Sequence, residues 1–324
     1  MPNSRQSPSS RASVLAAAVL LAITLYASGA DAEPQAPGFA VERYYPSPAG
    51  GGWFVMDTLD MHGGLGGAVE LAGGYASRPL ELPAGAATAP LAVVSAQGFA
   101  SFSGALTYDR YRLCVDLTVP VTVQGTSGVS GGYQFNGPAL DLGKNPDTLS
   151  DARVGFDVRL YGDPEGPLRL GLGAQLLIPS GDTADDVSDG TYRGMVRALV
   201  AGSVGQLMYA AQLGAHLRPL AAARVAGIPQ GSELLFGVAA GPRFAVGPVW
   251  SAVVGPEVFG ETAMRSPFKT YSTGVEALLS ARLQSEGRGR QLRLKLGAGG
   301  GLHPRFGAPR FRVLASVELF TQAL

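Results

Sequence analysis

The chain has 324 residues, in which 25 Lys and Arg balance 25 Asp and Glu. That neutrality leaves no electrostatic footprint for a nucleic-acid partner, and one cysteine cannot form an intramolecular disulfide. Forty-six glycines without a G-X-Y period exclude collagen and fit strands that curve and twist.

Residues 1–32 read as a cleaved signal peptide. Arg5 and Arg11 form a positive start, Val14–Ala27 is an apolar stretch, and Ala30-Asp31-Ala32 gives an A-x-A site with the cut between Ala32 and Glu33. No cysteine follows closely, so a lipoprotein anchor is not expected. Residues 33–62 carry Pro34, Pro37, Pro46 and Pro48 and the run Gly50-Gly51-Gly52-Trp53-Phe54. This segment reads as a periplasmic lead-in; the other reading is a plug tucked into the domain that follows.

From residue 63 to 324 the chain alternates. Between Tyr111 and Val123, Leu113, Val115, Leu117, Val119 and Val121 point one way, and Arg112, Cys114, Asp116, Thr118 and Thr122 the other. Successive side chains of a strand leave opposite faces, so this strand has one apolar and one polar face. The pattern predicts twelve strands, near 65–76, 91–108, 111–124, 151–161, 168–179, 190–204, 207–218, 232–244, 249–260, 270–284, 291–301 and 310–320. Most are long enough to cross an outer membrane at a tilt, which takes about 9–11 residues. Pro120, Pro242 and Pro256 fall within or near the ends of strands, where a ladder donor is lost. In the sixth strand Met195 and Leu199 share a phase with Arg193 and Arg197, which implies either an apolar plug in the interior or a bulge.

The connections alternate as well. Those after even strands are short (Asp109-Arg110, 162–167, Gly205-Gln206, 245–248, 285–290), and those after odd strands tend to be longer (77–90, 125–150, 180–189, 219–231, 261–269, 302–309). Short periplasmic turns facing longer outer loops are a barrel property. Tyr75, Tyr108, Tyr111, Tyr161, Tyr192, Tyr209, Phe244, Trp250, Phe259, Tyr271, Phe311 and Phe320 lie at or near strand ends, where interfacial girdles require them. The expected fold is all-β: an antiparallel up-and-down transmembrane β-barrel of about twelve strands, in the outer membrane of a Gram-negative bacterium.

The segment Phe39-Ala-Val-Glu-Arg-Tyr-Tyr-Pro-Ser-Pro-Ala-Gly-Gly-Gly-Trp-Phe-Val-Met-Asp-Thr-Leu-Asp60 resembles the start of outer-membrane barrels in the OmpA-like family. Leu176-Leu-Ile-Pro-Ser-Gly-Asp182 and Phe306-Gly-Ala-Pro-Arg-Phe-Arg312 are similar too, and the likeness runs loosely over residues 39–320. The Leu-x-Pro-Ser/Thr-Gly-Asp element also recurs in barrels that take up aromatic compounds. The chain ends four residues after Phe320, so the resemblance implies fold and location and not a peptidoglycan grip.

Chemistry is sparse. Gly128-Val129-Ser130-Gly131-Gly132 matches G-x-S-x-G, but a nucleophile elbow needs a helix after it and none is expected. The His-x-Ser-Asn-Gly segment of outer-membrane phospholipases is absent. His62, His216 and His303 have no partner at metal-ligand spacing. Asp182, Asp185, Asp186 and Asp189 form the one acidic cluster, a weak candidate for Ca²⁺ or for lipopolysaccharide bridged by divalent ions. No cofactor is expected; the expected partners are outer-membrane lipid, lipopolysaccharide and the barrel-assembly machinery, with the substrate unassigned.

The inward phase carries the remaining information. Charges on the lipid face would cost roughly 2–4 kcal/mol each for Arg or Lys at midplane, so most should face the lumen. The expected lining includes Arg112, Asp116, Asp157, Arg159, Arg169, Gln175, Arg197, Gln212, His216, Glu257, Glu276, Arg282, Arg293 and Lys295. With Arg153, Arg193, Arg218, Arg243 and Arg312 against Glu70, Glu233 and Glu318, the inward phase holds a surplus of five positive charges. Two functions fit: a narrow, mildly anion-preferring passage for small solutes, or a non-conducting barrel cross-linked by Arg–carboxylate pairs. An outer-membrane enzyme would need a nucleophile–base pair that the sequence does not assemble.

Overall fold

All twelve expected strands form in the computed structural model, which describes residues 33–82, 90–220, 224–225, 228–287, 289–303 and 307–322. The expected signal peptide lies outside the described residues. The strands are β1 Leu65–Leu82, β2 Leu91–Tyr108, β3 Tyr111–Gln124, β4 Ala152–Tyr161, β5 Arg169–Ile178 and β6 Arg193–Val204. The second half comprises β7 Leu207–Leu217, β8 Glu233–Ala245, β9 Trp250–Ala263, β10 Thr273–Ser285, β11 Gly289–His303 and β12 Phe311–Gln322. Each pairs antiparallel with its sequence neighbours, and β1 pairs with β12 from Gly67 opposite Thr321 to Ser77 opposite Phe311. The sheet therefore closes on itself and presents no open edge.

Burial follows the alternation. Along β3, Leu113, Val115 and Leu117 are exposed (51, 43 and 41 %), while Arg112, Cys114 and Asp116 between them are buried. Leu172, Leu213, Leu279, Leu296 and Leu319 continue the exposed apolar face around the cylinder. Such a belt on a closed antiparallel barrel belongs against lipid. Two-residue hairpins need positive φ at the turn, which Asp109 (54°) and Gly205 (59°) supply.

The prolines sit where the ladder is already broken. At Pro120 the β2–β3 register shifts, so that Gly98 opposes Thr122 and Phe99 opposes Pro120. Pro242 and Pro256 share one gap in the β8–β9 ladder, between the pairs Ala239–Glu257 and Arg243–Val253. Most of the aromatic girdle stands, with Tyr108, Tyr111, Tyr161, Tyr192, Phe244, Tyr271 and Phe311 exposed at or near strand ends. Phe259 and Phe320 are corrections: both are buried and face inward, because they share the phase of Glu257, Glu261 and Glu318.

Residues 35–62 depart most from expectation. Instead of a lead-in outside the barrel, the segment lies in the lumen. Phe39, Val41, Tyr44, Trp53, Phe54, Val55, Met56, Leu59 and Met61 are all buried. Trp53–Met56, Leu59 and Met61 form one apolar cluster with the wall residues Phe99, Leu199, Ala201, Met208, Ala210, Ala239 and Phe259. The inward Leu199 thus has an apolar partner, and Met195 packs beside Leu177 and Leu235 with Tyr45 of the segment against them. No bulge in β6 is needed.

Candidate functional site: the occupied lumen

The segment is held in three zones. At the end carrying the long loops, the Ala36 amide donates to Gln134 O (2.8 Å), Ala40 to Asp189 Oδ1 (2.8 Å) and Val41 to Asp186 O (3.1 Å). Just below, Glu42 meets Arg312 (2.8 Å), and Arg43 bridges Glu233 (3.0 Å) and Glu261 (3.3 Å). At mid-height the amides of Phe54 and Val55 donate to the two oxygens of Glu257, at 3.0 and 2.9 Å. Lys295 stands 5.4 Å from the Phe54 ring centre, and Arg282 stands 5.4 Å from that of Trp53. Toward the short turns, Asp57 pairs with Arg112 and Asp60 with Arg169, while Arg159 Nη1 donates to Leu59 O at 3.5 Å.

Every lumen residue expected from the sequence takes the inner face, and all are buried except the half-buried Gln212. They also pair with one another. Asp157 joins Arg112 (3.0 Å) to Arg197 (3.1 Å), and Arg197 Nη1 donates to Gln212 Oε1 at 3.4 Å. Asp116 accepts from Ser103 and lies 3.5 Å from Arg153, whose Nη1 donates to Gln175 Oε1 at 3.5 Å. Glu276 meets Arg312 at 2.8 Å, Arg293 meets Glu318 at 2.6 Å, and Lys295 meets Glu70 at 2.8 Å. Arg282 is buried without a carboxylate partner among the described residues, and its Nε and Nη1 bond to nothing there. Arg243 is the exception to the inward phase: it stands half-exposed at the end of β8, paired with Glu286 at 2.6 Å.

This occupancy changes the charge balance. With Arg243 outside the lumen the surplus is four, and against it stand Glu42, Asp57 and Asp60 of the segment and Asp151, Asp189 and Glu261 of the barrel, with one further guanidinium, Arg43 of the segment. The filled lumen is therefore close to neutral. The cavities left between segment and wall are small. One of about 70 Å³ lies toward the loops beside Tyr44, Tyr45, Gln97 and Arg193; others of about 20 and 30 Å³ lie near Gln212 and near His62. Each has room for a few waters at most.

The acidic loop is not an ion cage. Asp189 binds Arg218 (2.6 Å) and the Ala40 amide, Asp186 turns toward the Phe39 amide (3.4 Å), and Asp182 is exposed. Burial pushes Asp186 up to about 7, with the Phe39 hydrogen bond working the other way and the Asp185 charge adding to the rise. Burial also works to raise Asp189, but the Arg218 hydrogen bonds and the charges of Arg218, Arg193 and Arg43 outweigh it and hold its carboxyl well below the usual range.

His216, which the sequence leaves without a partner, joins Glu233 and Glu261 in a buried group with ligand atoms within 4.8 Å of one another. Its Nδ1 lies 3.4 Å from Glu261, and the Tyr45 ring packs edge-on at 5.2 Å. Arg43 already bridges both carboxylates and Arg218 lies 3.0 Å from Glu233, so a metal ion there would have to displace a guanidinium.

No family model matches the chain, and no curated protein sequence does. Among solved structures it is similar to an outer membrane channel (COG4313) from Pseudomonas putida F1, at 14 % identity and TM-score 0.46, over 80 % of this chain and 96 % of that one. It is also similar to the NanC porin, at 6 % identity and TM-score 0.46, over 79 % of this chain and 100 % of the other. A FadL homologue from Pseudomonas aeruginosa matches at 10 % identity and TM-score 0.37, over 90 % and 100 %. The OmpA-like resemblance has no family match behind it. The closed register, the apolar outer belt and the alternation of turns with loops make the protein an outer-membrane β-barrel of the Gram-negative type.

Proposed function

We propose that this barrel is a passive channel for small solutes, closed at rest by its own residues 35–62, and that the opened lumen prefers anions. The supporting observation is the fit of wall to segment. The inner face recedes to glycine where the segment's side chains stand: a Cβ on Gly237 would lie 2.3 Å from Met56 Cε, one on Gly297 2.7 Å from Phe54 Cε2, and one on Gly171 2.9 Å from Leu59 Cδ2. A scaffold-only barrel would fill its interior from its own wall. This wall instead keeps a bore wide enough for a chain that folds back on itself.

When the segment leaves, the carboxylates of Glu42, Asp57 and Asp60 leave with it, against the single guanidinium of Arg43. Arg312, Arg112 and Arg169 each lose a carboxylate, and Arg282 loses the Trp53 ring that covers it. Fixed positive charge along the path lowers the energy of an entering anion. The exposed apolar belt is where outer-membrane lipid and lipopolysaccharide would sit, after delivery by the barrel-assembly machinery. The non-conducting structural barrel is the second reading, favoured by the ion pairs of Glu42, Arg43, Asp57 and Asp60 with the wall. No enzymatic step is assigned: Ser130 ends the strand Gly128–Ser130 of a small hairpin, and no helix follows it among the described residues.

The test is current through planar bilayers. The full-length protein should stay mostly closed, whereas a chain lacking residues 35–61, or carrying Asp57→Asn with Asp60→Asn, should conduct and favour anions. Replacing Arg159, Arg169 and Arg197 by Glu in the conducting form should weaken or reverse that preference. Folded barrels that pass no current in any of these forms would establish the structural reading.

A further inference from the structure

We infer that the segment enters the barrel from the outer mouth, so that Gln35 and Pro37 are presented at the cell surface and not in the periplasm. The argument is one of polarity and is independent of whether the lumen conducts. β1 starts at the turn end of the barrel, where the Asp109 amide donates to Gly64 O at 3.1 Å. A chain that begins its first strand there ordinarily has its preceding residues on that same side. Here they run the other way. Asp57 and Asp60 meet Arg112 and Arg169, which begin β3 and β5 at the turn end. Phe54 and Val55 bind Glu257 at mid-height. Arg43 reaches Glu233 and Glu261, at the loop ends of β8 and β9.

The last contacts are with the loops themselves. Ala40 and Val41 bind Asp189 and Asp186 in the β5–β6 connection, and Gln35 bridges Gln134 in the β3–β4 connection. Gln35 and Pro37 are exposed there. Short turns mark the periplasmic end of such barrels and long loops the outer end. The segment therefore spans the height of the lumen, with Gln35 at its outer end and Asp60 at its inner end. The tie to β1 at His62–Gly64 means that the segment can leave the lumen only toward the periplasm, drawing its outer end in behind it.

Thiol labelling on intact cells tests this. In a Cys114→Ser background, Pro37→Cys and Gln35→Cys are compared with Lys144→Cys in a long loop and Glu165→Cys in a short turn, all in exposed positions. A membrane-impermeant maleimide should label the Pro37→Cys and Gln35→Cys chains on intact cells as fully as the Lys144→Cys chain. The Glu165→Cys chain should be labelled only after the outer membrane is permeabilised. Heat-modifiable migration on gels confirms that each variant is folded. Labelling at 35 and 37 that waits for permeabilisation, labelling that fails in both states, or reversed behaviour of the two reference positions would each overturn the inference.

Discussion

The two ends of the internal segment are held by different chemistry. At the outer end, backbone amides of residues 36–41 bind partners carried on loops: Gln134, Asp186 and Asp189. At the inner end, the carboxylates of Asp57 and Asp60 meet guanidinium groups on β3 and β5, strands fixed on both sides by their neighbours. Loops open at lower free energy than strands in a closed sheet. The outer end is thus a latch that releases easily, and the inner end an anchor that does not.

The anchor should show the largest effect. Arg112→Leu leaves the buried Asp57 without its guanidinium, while Asp157 keeps Arg197. An unpaired buried charge costs on the order of 3–5 kcal/mol. The temperature at which the folded gel band converts should fall, and residues 51–59 should become open to protease. An unchanged conversion temperature would remove the anchor from Arg112.

The latch comes next. Asp189→Asn weakens the charge-assisted bonds to Arg218 and the Ala40 amide, bonds of a type worth roughly 1.5–3 kcal/mol. Limited proteolysis should then cut near residues 35–41 while the conversion temperature stays nearly unchanged. A large drop in that temperature would show that the two ends are not separable.

Packing at mid-height is smaller still. Gly237→Leu drives a side chain into Met56, at a cost of about 1–3 kcal/mol. Val238→Leu, on the lipid side, should be silent in the same proteolysis assay.

The smallest effect is the pH dependence of the latch. Buried Asp186 titrates near 7, whereas a released Asp titrates near its ordinary value of about 4. The latched state therefore holds a proton that the released state gives up between these values, and it loses stability as pH rises through that window. Asp189 is held low chiefly by Arg218 and Arg193, which stay on the barrel when the segment is released, so it adds little to this dependence. Opening of residues 35–41, followed by protease sensitivity, should thus be least at mildly acidic pH and rise toward neutrality. Asp186→Asn should flatten the rise.

The strands were legible because period-two alternation states both faces at once, and because Asp109-Arg110 and Gly205-Gln206 mark turns by their own chemistry. β3 runs from Tyr111 to Gln124 as its alternation implies. The segment was not legible as a plug, because its apolar residues follow no period and its prolines and glycines read as a tether. Three signals point to it nonetheless. Trp53-Phe54-Val55-Met56 is an apolar run that a solvated tether would not keep, and Leu199 faces inward where only an apolar occupant could satisfy it. The positive surplus of the inner face was a third sign, since buried guanidinium groups need counter-charges from elsewhere. Which carboxylate meets which arginine depends on barrel geometry that alternation does not encode; the group of His216, Glu233 and Glu261 is drawn from three strands.

Hydrogen exchange of the folded, full-length protein tests the central claim most directly. With the segment inside the lumen and bonded to Glu257, the amides of Phe54 and Val55 should exchange as slowly as those of the barrel strands, and Glu257→Gln should speed them selectively. Exchange of residues 51–59 at the rate of an unstructured peptide, with the strands still protected, would contradict an occupied lumen.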